Sequence, residues 1–130
     1  QQLAVIETMT RDLNIDVHIH RVALIREPDG LAMSSRNSNL SPEERKKALS
    51  LSRSLNDSKE KVKKGITSSK QLRKNIKNII TAESGTQIDY ISICDPISLE
   101  EKEEVKGRTL IALAVKIGPA RLIDNCIIGD

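Results

Sequence analysis

Apolar residues recur three and four apart at Leu3, Ile6, Met9 or Thr10, and Leu13, so residues 1–13 predict a helix with one apolar face, and Asn14 offers a left-handed stop. At Ile15 the period changes to two. Ile15, Val17 and Ile19 alternate with Asp16, His18 and His20 ahead of the apolar run 22–25, which predicts a strand. A helix feeding a strand is the second half of a βαβ crossover, and its parallel sheet calls for strands not found here. With Gln1 and not Met in first place, the opening reads as mid-domain, and a fragment of a longer chain is expected.

Glu27-Pro28-Asp29-Gly30 has turn residues where a β-turn wants them, and 31–39 is a polar stretch expected to be a functional loop. Ser41-Pro42-Glu43-Glu44 spells a capping box with Pro at the first helical position. The helix it opens buries a stripe of Ala48, Leu51, Leu55 and Val62, with Gly65 as a C-terminal cap. A second helix starts near Ser68, carries Leu72, Ile76, Ile79 and Ile80 on one face, and ends by Gly85. The last third predicts strands over 87–94, 109–117 and 120–128, the last two joined tightly at Gly118-Pro119. Residues 110–115 are apolar on both faces and so predict the central strand, whereas Arg121, Asp124 and Asn125 interrupt the next one. The expected class is α+β: a leading helix and strand, then two helices packed on a three-stranded antiparallel sheet.

Composition narrows the function. The 130 residues allow one compact domain with a fragment of a second, and they contain one Tyr, no Phe and no Trp, so the core must be aliphatic. Platforms for stacking single-stranded nucleic acid are missing. No apolar run approaches the roughly 20 residues of a membrane span, and no charged-then-apolar leader opens the chain, which predicts a soluble protein. Cys94 and Cys126 sit in apolar strand-like runs and are expected to be buried thiols in a reducing cytoplasm. Residues 41–83 hold 12 Lys and Arg against 5 Asp and Glu, concentrating the basic surplus on the helical pair.

The sharpest local chemistry is Met33-Ser34-Ser35-Arg36, between a Gly turn and a capped helix. Adjacent hydroxyls, a cation and backbone N–H groups near helix N-termini can hold phosphate oxygens through charge-assisted hydrogen bonds. A solvated polar loop is the plainer reading of those four residues.

The longer run Arg26-Glu27-Pro28-Asp29-Gly30-Leu31-Ala32-Met33-Ser34-Ser35-Arg36-Asn37, followed by Leu40-Ser41-Pro42-Glu43-Glu44-Arg45, closely resembles the pantothenate synthetase (pantoate–β-alanine ligase) family. Leu122-Ile123-Asp124-Asn125 resembles the end of the same enzymes, and Gln1-Gln2-Leu3 resembles the segment after their Gly-Glu-Lys-Asp motif. The resemblance implies an ATP-dependent ligase of the nucleotidyltransferase superfamily. Residues 1–25 would be the tail of its Rossmann-like nucleotide-binding domain, and 26–130 a C-terminal ATP-lid domain whose 33–36 loop is the counterpart of the KMSKS loop of class I aminoacyl-tRNA synthetases. In that family the pantoate carboxylate attacks the α-phosphorus of ATP, giving pantoyl adenylate and pyrophosphate, and the β-alanine amine then displaces AMP. By the same resemblance Ile25, Met33, Ser34, Ser35 and Arg36 would bind ATP, with Ser34, Ser35 and Arg36 catalytic, Gln2 would bind pantoate, and Mg²⁺ would ride on the phosphates. A cytoplasmic homodimer is implied for the full-length enzyme, with no nucleic acid or membrane partner. The family's HxGH pair, its first substrate glutamine and the Gly-Glu-Lys-Asp lysine have no counterpart here, so the fragment alone is expected to be inactive. Arg21-Val22-Ala23-Leu24 also departs from the usual Gly-Val-Pro-Thr.

His18 and His20 share a predicted strand face but lack a third ligand at metal spacing, so no metal site is expected. Asp124 beside Arg121 suggests a hydrogen-bonded pair at a strand end, with a catalytic role as the sharper alternative. Lys59, Lys61, Lys63, Lys64, Lys70, Arg73, Lys74 and Lys77 form a solvated helical face, or, in the competing function, a basic helical module that binds nucleic acid. The acidic stretch 100–104 argues against a uniformly basic surface.

Overall fold

A computed structural model describes residues 1–129 as three α-helices, a short 3₁₀ helix and one three-stranded antiparallel sheet. The elements are α1 (Gln2–Asp12), the 3₁₀ helix (Ser35–Asn39), α2 (Pro42–Lys63), α3 (Ser69–Thr81), β1 (Thr86–Cys94), β2 (Thr109–Ile117) and β3 (Ala120–Ile128). The class is α+β, as the hydrophobic pattern predicts.

Helix α2 starts where its cap dictates. Glu44 N donates to Ser41 Oγ at 3.3 Å, and Ser41 N donates back to Glu44 Oε2 at 2.8 Å, so two orphan donors of the first turn are satisfied reciprocally. It stops where Gly65 takes φ +89, which a residue with a Cβ would resist. In between, α2 carries three working faces. Ala48, Leu51 and Leu55 join the core beneath the sheet. A second flank of Ser50, Ser54 and Ser58 is wholly buried on the side where Asn75 of α3 donates to Asp57, and these short side chains let the two helices approach closely. Ser54 and Ser58 return their hydroxyls to the carbonyls of Leu51 and Ser54 at 2.7 and 2.8 Å, so burial leaves those two groups satisfied. The third flank, with Arg45 and Ser52, faces the loop that precedes the helix.

The sheet runs in the order β1-β2-β3, with β2 central. β2 and β3 pair from Ile117↔Ala120 to Thr109↔Ile128 across the two-residue turn Gly118-Pro119, and Gly118 has φ +53, the sign a type II′ turn requires at its first central position. A bulge at Asp89 breaks the β1–β2 register between Ile88 and Tyr90. Alternation sends Ile111, Leu113, Val115 and Ile117 to the helix side, where they meet Leu72, Ile76 and Ile80 of α3 in a core of aliphatic side chains. Cys94 and Cys126 are buried and unpaired by any disulfide. Burial pushes the Cys126 thiol up to about 11.

One expectation changes. Residues 15–25 form no ladder in this structure: the alternating segment has no neighbouring strand to hydrogen-bond, and a strand is defined by its partner as much as by its own sequence. Arg21 instead returns to α1, donating to both carboxylate oxygens of Glu7 at 2.6 and 2.7 Å. The stretch 31–39, expected to be a functional loop, is anchored at Leu31, which belongs to the core, and at Ala32 and Asn37, which are buried.

Candidate functional site

Residues 25–33 fold back on themselves as a small hairpin. Pro28 sets the turn, Gly30 N donates to Glu27 O and Glu27 N to Leu31 O, both at 2.8 Å, and Arg26 bridges Ala32 in antiparallel fashion. Met33 N then donates to Ile25 O at 3.0 Å, which puts the two residues side by side at the open end of the hairpin. The chain turns next into the 3₁₀ helix, whose entry is fixed by Ser34 Oγ accepting from Arg36 N at 3.2 Å. The result is a projecting shelf: Met33, Ser35 and Arg36 are exposed, Ser34 is half-buried, and the Arg36 guanidinium has no hydrogen bond or ion pair among the described residues.

Beneath the shelf the loop is braced by charge. Asn37 Nδ2 donates to Glu27 Oε1 at 2.6 Å and to Ala32 O at 2.9 Å, tying the 3₁₀ helix to both limbs of the hairpin. Arg45 reaches from α2 to Glu27 Oε2 at 2.6 Å and to Asp29 Oδ2 at 2.9 Å. The Asn37 amide, then the Arg45 guanidinium, hold the Glu27 carboxyl below its ordinary range, so it is ionised at neutral pH. At the neck, Arg26 makes a forked pair with Asp124 of β3, Nη1 to Oδ2 at 2.8 Å and Nη2 to Oδ1 at 2.9 Å, while Nη1 also donates to Gly30 O at 3.0 Å. The hydrogen bonds to Asp124 push the Arg26 guanidinium up, against the opposing effect of burial.

Of the residues singled out from sequence, Ile25, Met33, Ser34, Ser35 and Arg36 are brought together on one shelf. Gln2 stands apart, exposed at the first turn of α1, with no hydrogen bond to the loop among the described residues. The first turn of α2 carries Glu43 and Glu44, and its Ser41 and Glu44 N–H groups are taken up by the capping box. Arg121 is not the partner of Asp124. It pairs with Asp89 across the sheet at 2.7 Å and lies over the Tyr90 ring at 5.9 Å, on the face opposite Asp124. His18 and His20 meet edge to face with ring centroids 4.5 Å apart, and no cluster of three His, Cys, Asp or Glu able to hold a metal occurs among the described residues. Among the described residues no cluster of carboxylates is therefore placed to hold Mg²⁺. The basic helical face is interrupted by ion pairs: Lys61 with Asp57, Lys63 with Glu60, Arg53 with Glu83 and Arg73 with Glu101. No described helix is long and apolar enough to cross a membrane.

A family model described as pantoate-beta-alanine ligase matches residues 1–127. Pantothenate synthetase of Acetivibrio thermocellus is 52% identical over 128 residues, covering 98% of this chain and 46% of the relative. That of Geobacter sulfurreducens is 50% identical over 130 residues, covering all of this chain and 46% of the relative. The chain thus spans about half the length of the curated relatives it matches. Among solved structures, a pantothenate synthetase from Thermus thermophilus superimposes with a TM-score of 0.90 at 36% identity, over 96% of this chain and 45% of that one. A pantoate-beta-alanine ligase from Francisella tularensis, complexed with beta-gamma ATP and beta-alanine, superimposes with a TM-score of 0.63 at 25% identity, over 97% of this chain and 39% of that one.

Proposed function

From the premise that this chain belongs to the pantoate–beta-alanine ligase family, we propose that it supplies the phosphate-handling part of an enzyme joining pantoate to β-alanine at the expense of ATP. The observation that carries the reading is the braced hairpin presenting Ser34, Ser35 and an Arg36 that has no hydrogen bond or ion pair from its side chain among the described residues. Attack of the pantoate carboxylate on the α-phosphorus loads negative charge onto the phosphoryl oxygens and the departing pyrophosphate. A guanidinium with no ion pair among the described residues can follow that charge, and two hydroxyls can donate to the same oxygens, which is what a phosphoryl centre needs more than a covalent nucleophile. The products of this step are pantoyl adenylate and pyrophosphate. In the second step the β-alanine amine attacks the acyl carbon and AMP leaves.

Ile25 and Met33, joined by their backbone bond, would give the nucleotide an apolar flank, and Gln2 would donate to or accept from pantoate. Residues 1–25 would belong to the Rossmann-like nucleotide-binding domain and 26–130 to a C-terminal domain that covers ATP. Residues 1–25 expose Val5, Leu13, Val22 and Ile25, a surface that supports contact with further protein. The reading extends to a cytoplasmic homodimer at natural full length, with Mg²⁺ carried on the triphosphate. The 130 residues alone would make no pantothenate.

The test is pantoate-dependent exchange of labelled pyrophosphate into ATP, together with AMP release on adding β-alanine, by the protein at natural full length and by the 130-residue chain. Exchange that requires pantoate, seen at full length and absent from the short chain, is expected. Full-length protein without pantoate-dependent exchange would refute the activity, and turnover by the short chain above a no-enzyme control would refute its dependence on further protein.

A further inference from the structure

Asp124 is a carboxylate on the wrong side of a strand. On β3, Leu122, Asp124, Cys126 and Ile128 share the face that packs toward the helices, and the Asp124 side chain is only 1% exposed. An ionised carboxylate so placed persists only when it is paired and its lone pairs are used. Both oxygens are: Oδ1 and Oδ2 take the two arms of the Arg26 fork, and Oδ1 also accepts from Asn125 N at 2.7 Å. The other hydrogen bonds of the Arg26 side chain among the described residues go to the hairpin turn, at Gly30 O, and to β3, at Asn125 O.

Arg26 occupies the neck of the hairpin. Its backbone bridges Ala32, and the neighbouring Ile25 carbonyl holds Met33, one residue before Ser34. Two clamps therefore fix the loop. Arg45 of α2 grips the turn end through Glu27 and Asp29, and Asp124 of β3 grips the neck from which the shelf projects. The neck clamp joins the base of the shelf directly to the sheet, while Asn37 ties the 3₁₀ helix to the hairpin. A forked pair fixes direction as well as distance, which a single hydrogen bond does not.

We propose that Asp124 is a positioning residue for adenylate formation, holding the Ser34–Arg36 shelf in place through Arg26 while touching no substrate itself. The proposal rests on the reading of that shelf as the phosphate-handling element. Displacing reacting groups by about 1 Å can cost roughly a hundredfold in rate, so loss of the fork should act on the chemical step and leave pantoate binding alone.

The experiment uses the protein at natural full length and three substitutions: Asp124→Asn, Arg26→Lys, which keeps the charge but loses the fork, and Arg121→Gln, which breaks the exposed ion pair between β3 and Asp89 of β1. Pantoate-dependent pyrophosphate exchange gives kcat and KM, thermal unfolding gives Tm, and amide hydrogen exchange reads residues 31–37. For Arg26→Lys the expected result is a kcat lowered about ten- to a hundredfold, a pantoate KM within about twofold of the unsubstituted value, and faster amide exchange at 31–37. Asp124→Asn should match or exceed that loss, and Arg121→Gln should leave all three readouts unchanged. If Asp124→Asn does not fold, Arg26→Lys decides. An unchanged kcat in Arg26→Lys, or a loss matched by Arg121→Gln, overturns the proposal. Should the unsubstituted protein show no pantoate-dependent exchange, the functional reading fails separately, and the clamp is judged by amide exchange alone: unaltered protection at 31–37 in Arg26→Lys overturns it as well.

Discussion

Replacing Arg36 with Ala separates chemistry from stability, because among the described residues no hydrogen bond or ion pair of the fold depends on its side chain. It is exposed and unpartnered among the described residues, and its backbone N–H, which closes on Ser34 Oγ at 3.2 Å, survives the substitution. A surface change of this kind shifts folding free energy by no more than about 0.5 kcal/mol. On the proposed function, Arg36→Ala in the protein at natural full length should remove one charged contact to the transition state and lower adenylate formation by about two to three orders of magnitude, or about 2.7–4 kcal/mol of barrier. Because the contact strengthens as charge moves onto pyrophosphate, the loss should appear in the rate more than in ATP affinity. Single-turnover formation of pantoyl adenylate at saturating ATP, set beside the ATP dissociation constant and Tm, reads all three quantities. An Arg36→Ala protein with an unaltered single-turnover rate would show that the loop merely binds nucleotide and that Arg36 takes no part in the chemical step.

Ser41→Ala removes the acceptor of the α2 capping box and should cost about 1 kcal/mol, read as a lower urea midpoint at constant slope. Gly118→Ala should destabilise by about 1–3 kcal/mol. The reasons are that φ is +53 and that an added Cβ would lie 1.8 Å from Glu44 Oε1, inside that same box; equal stability of the two proteins would discredit the contact. Acid should loosen the loop. Glu27, held down by Asn37 and then Arg45, and Glu44, held down by the Ser41 backbone, both have lowered pKa values, so their stabilisation is fully present above the ordinary 4.5 and is lost as pH falls through their folded values. Unfolding titrations from pH 7 to 3 should show a decline beginning near 4.5, shallower in Glu27→Gln.

What the sequence discloses here is mostly what is local. Ser41 through Glu44 announces the start of α2, Gly118-Pro119 places the hairpin, and the doubly apolar run 110–115 puts β2 at the centre. Residues 15–25 mislead because alternation records a face, and a face without a hydrogen-bonding neighbour makes no strand. The pairing of Asp124 with Arg121 fails for a reason that alternation itself supplies. Three residues apart on a strand means opposite faces, and an Asp at an inward position among Leu122, Cys126 and Ile128 asks for a cation from elsewhere in the chain. That cation, Arg26, lies 98 residues away, beyond the reach of any local pattern. The serine flank of α2 was hidden too, since serine at helical spacing reads as solvated surface until a second helix covers it.

The Cys126 thiol lies two residues from Asp124 on the same inward face of β3, beside the joint between sheet and loop. Burial denies it both access and ionisation, since a thiol with a pKa of about 11 is almost wholly protonated at neutral pH and so almost inert as a nucleophile. An alkylating reagent can therefore capture it only in the moments when β3 parts from what covers it. In a Cys94→Ser background, the rate of that capture is a clock on the opening of the joint, running on an atom the chain already carries and needing no introduced label.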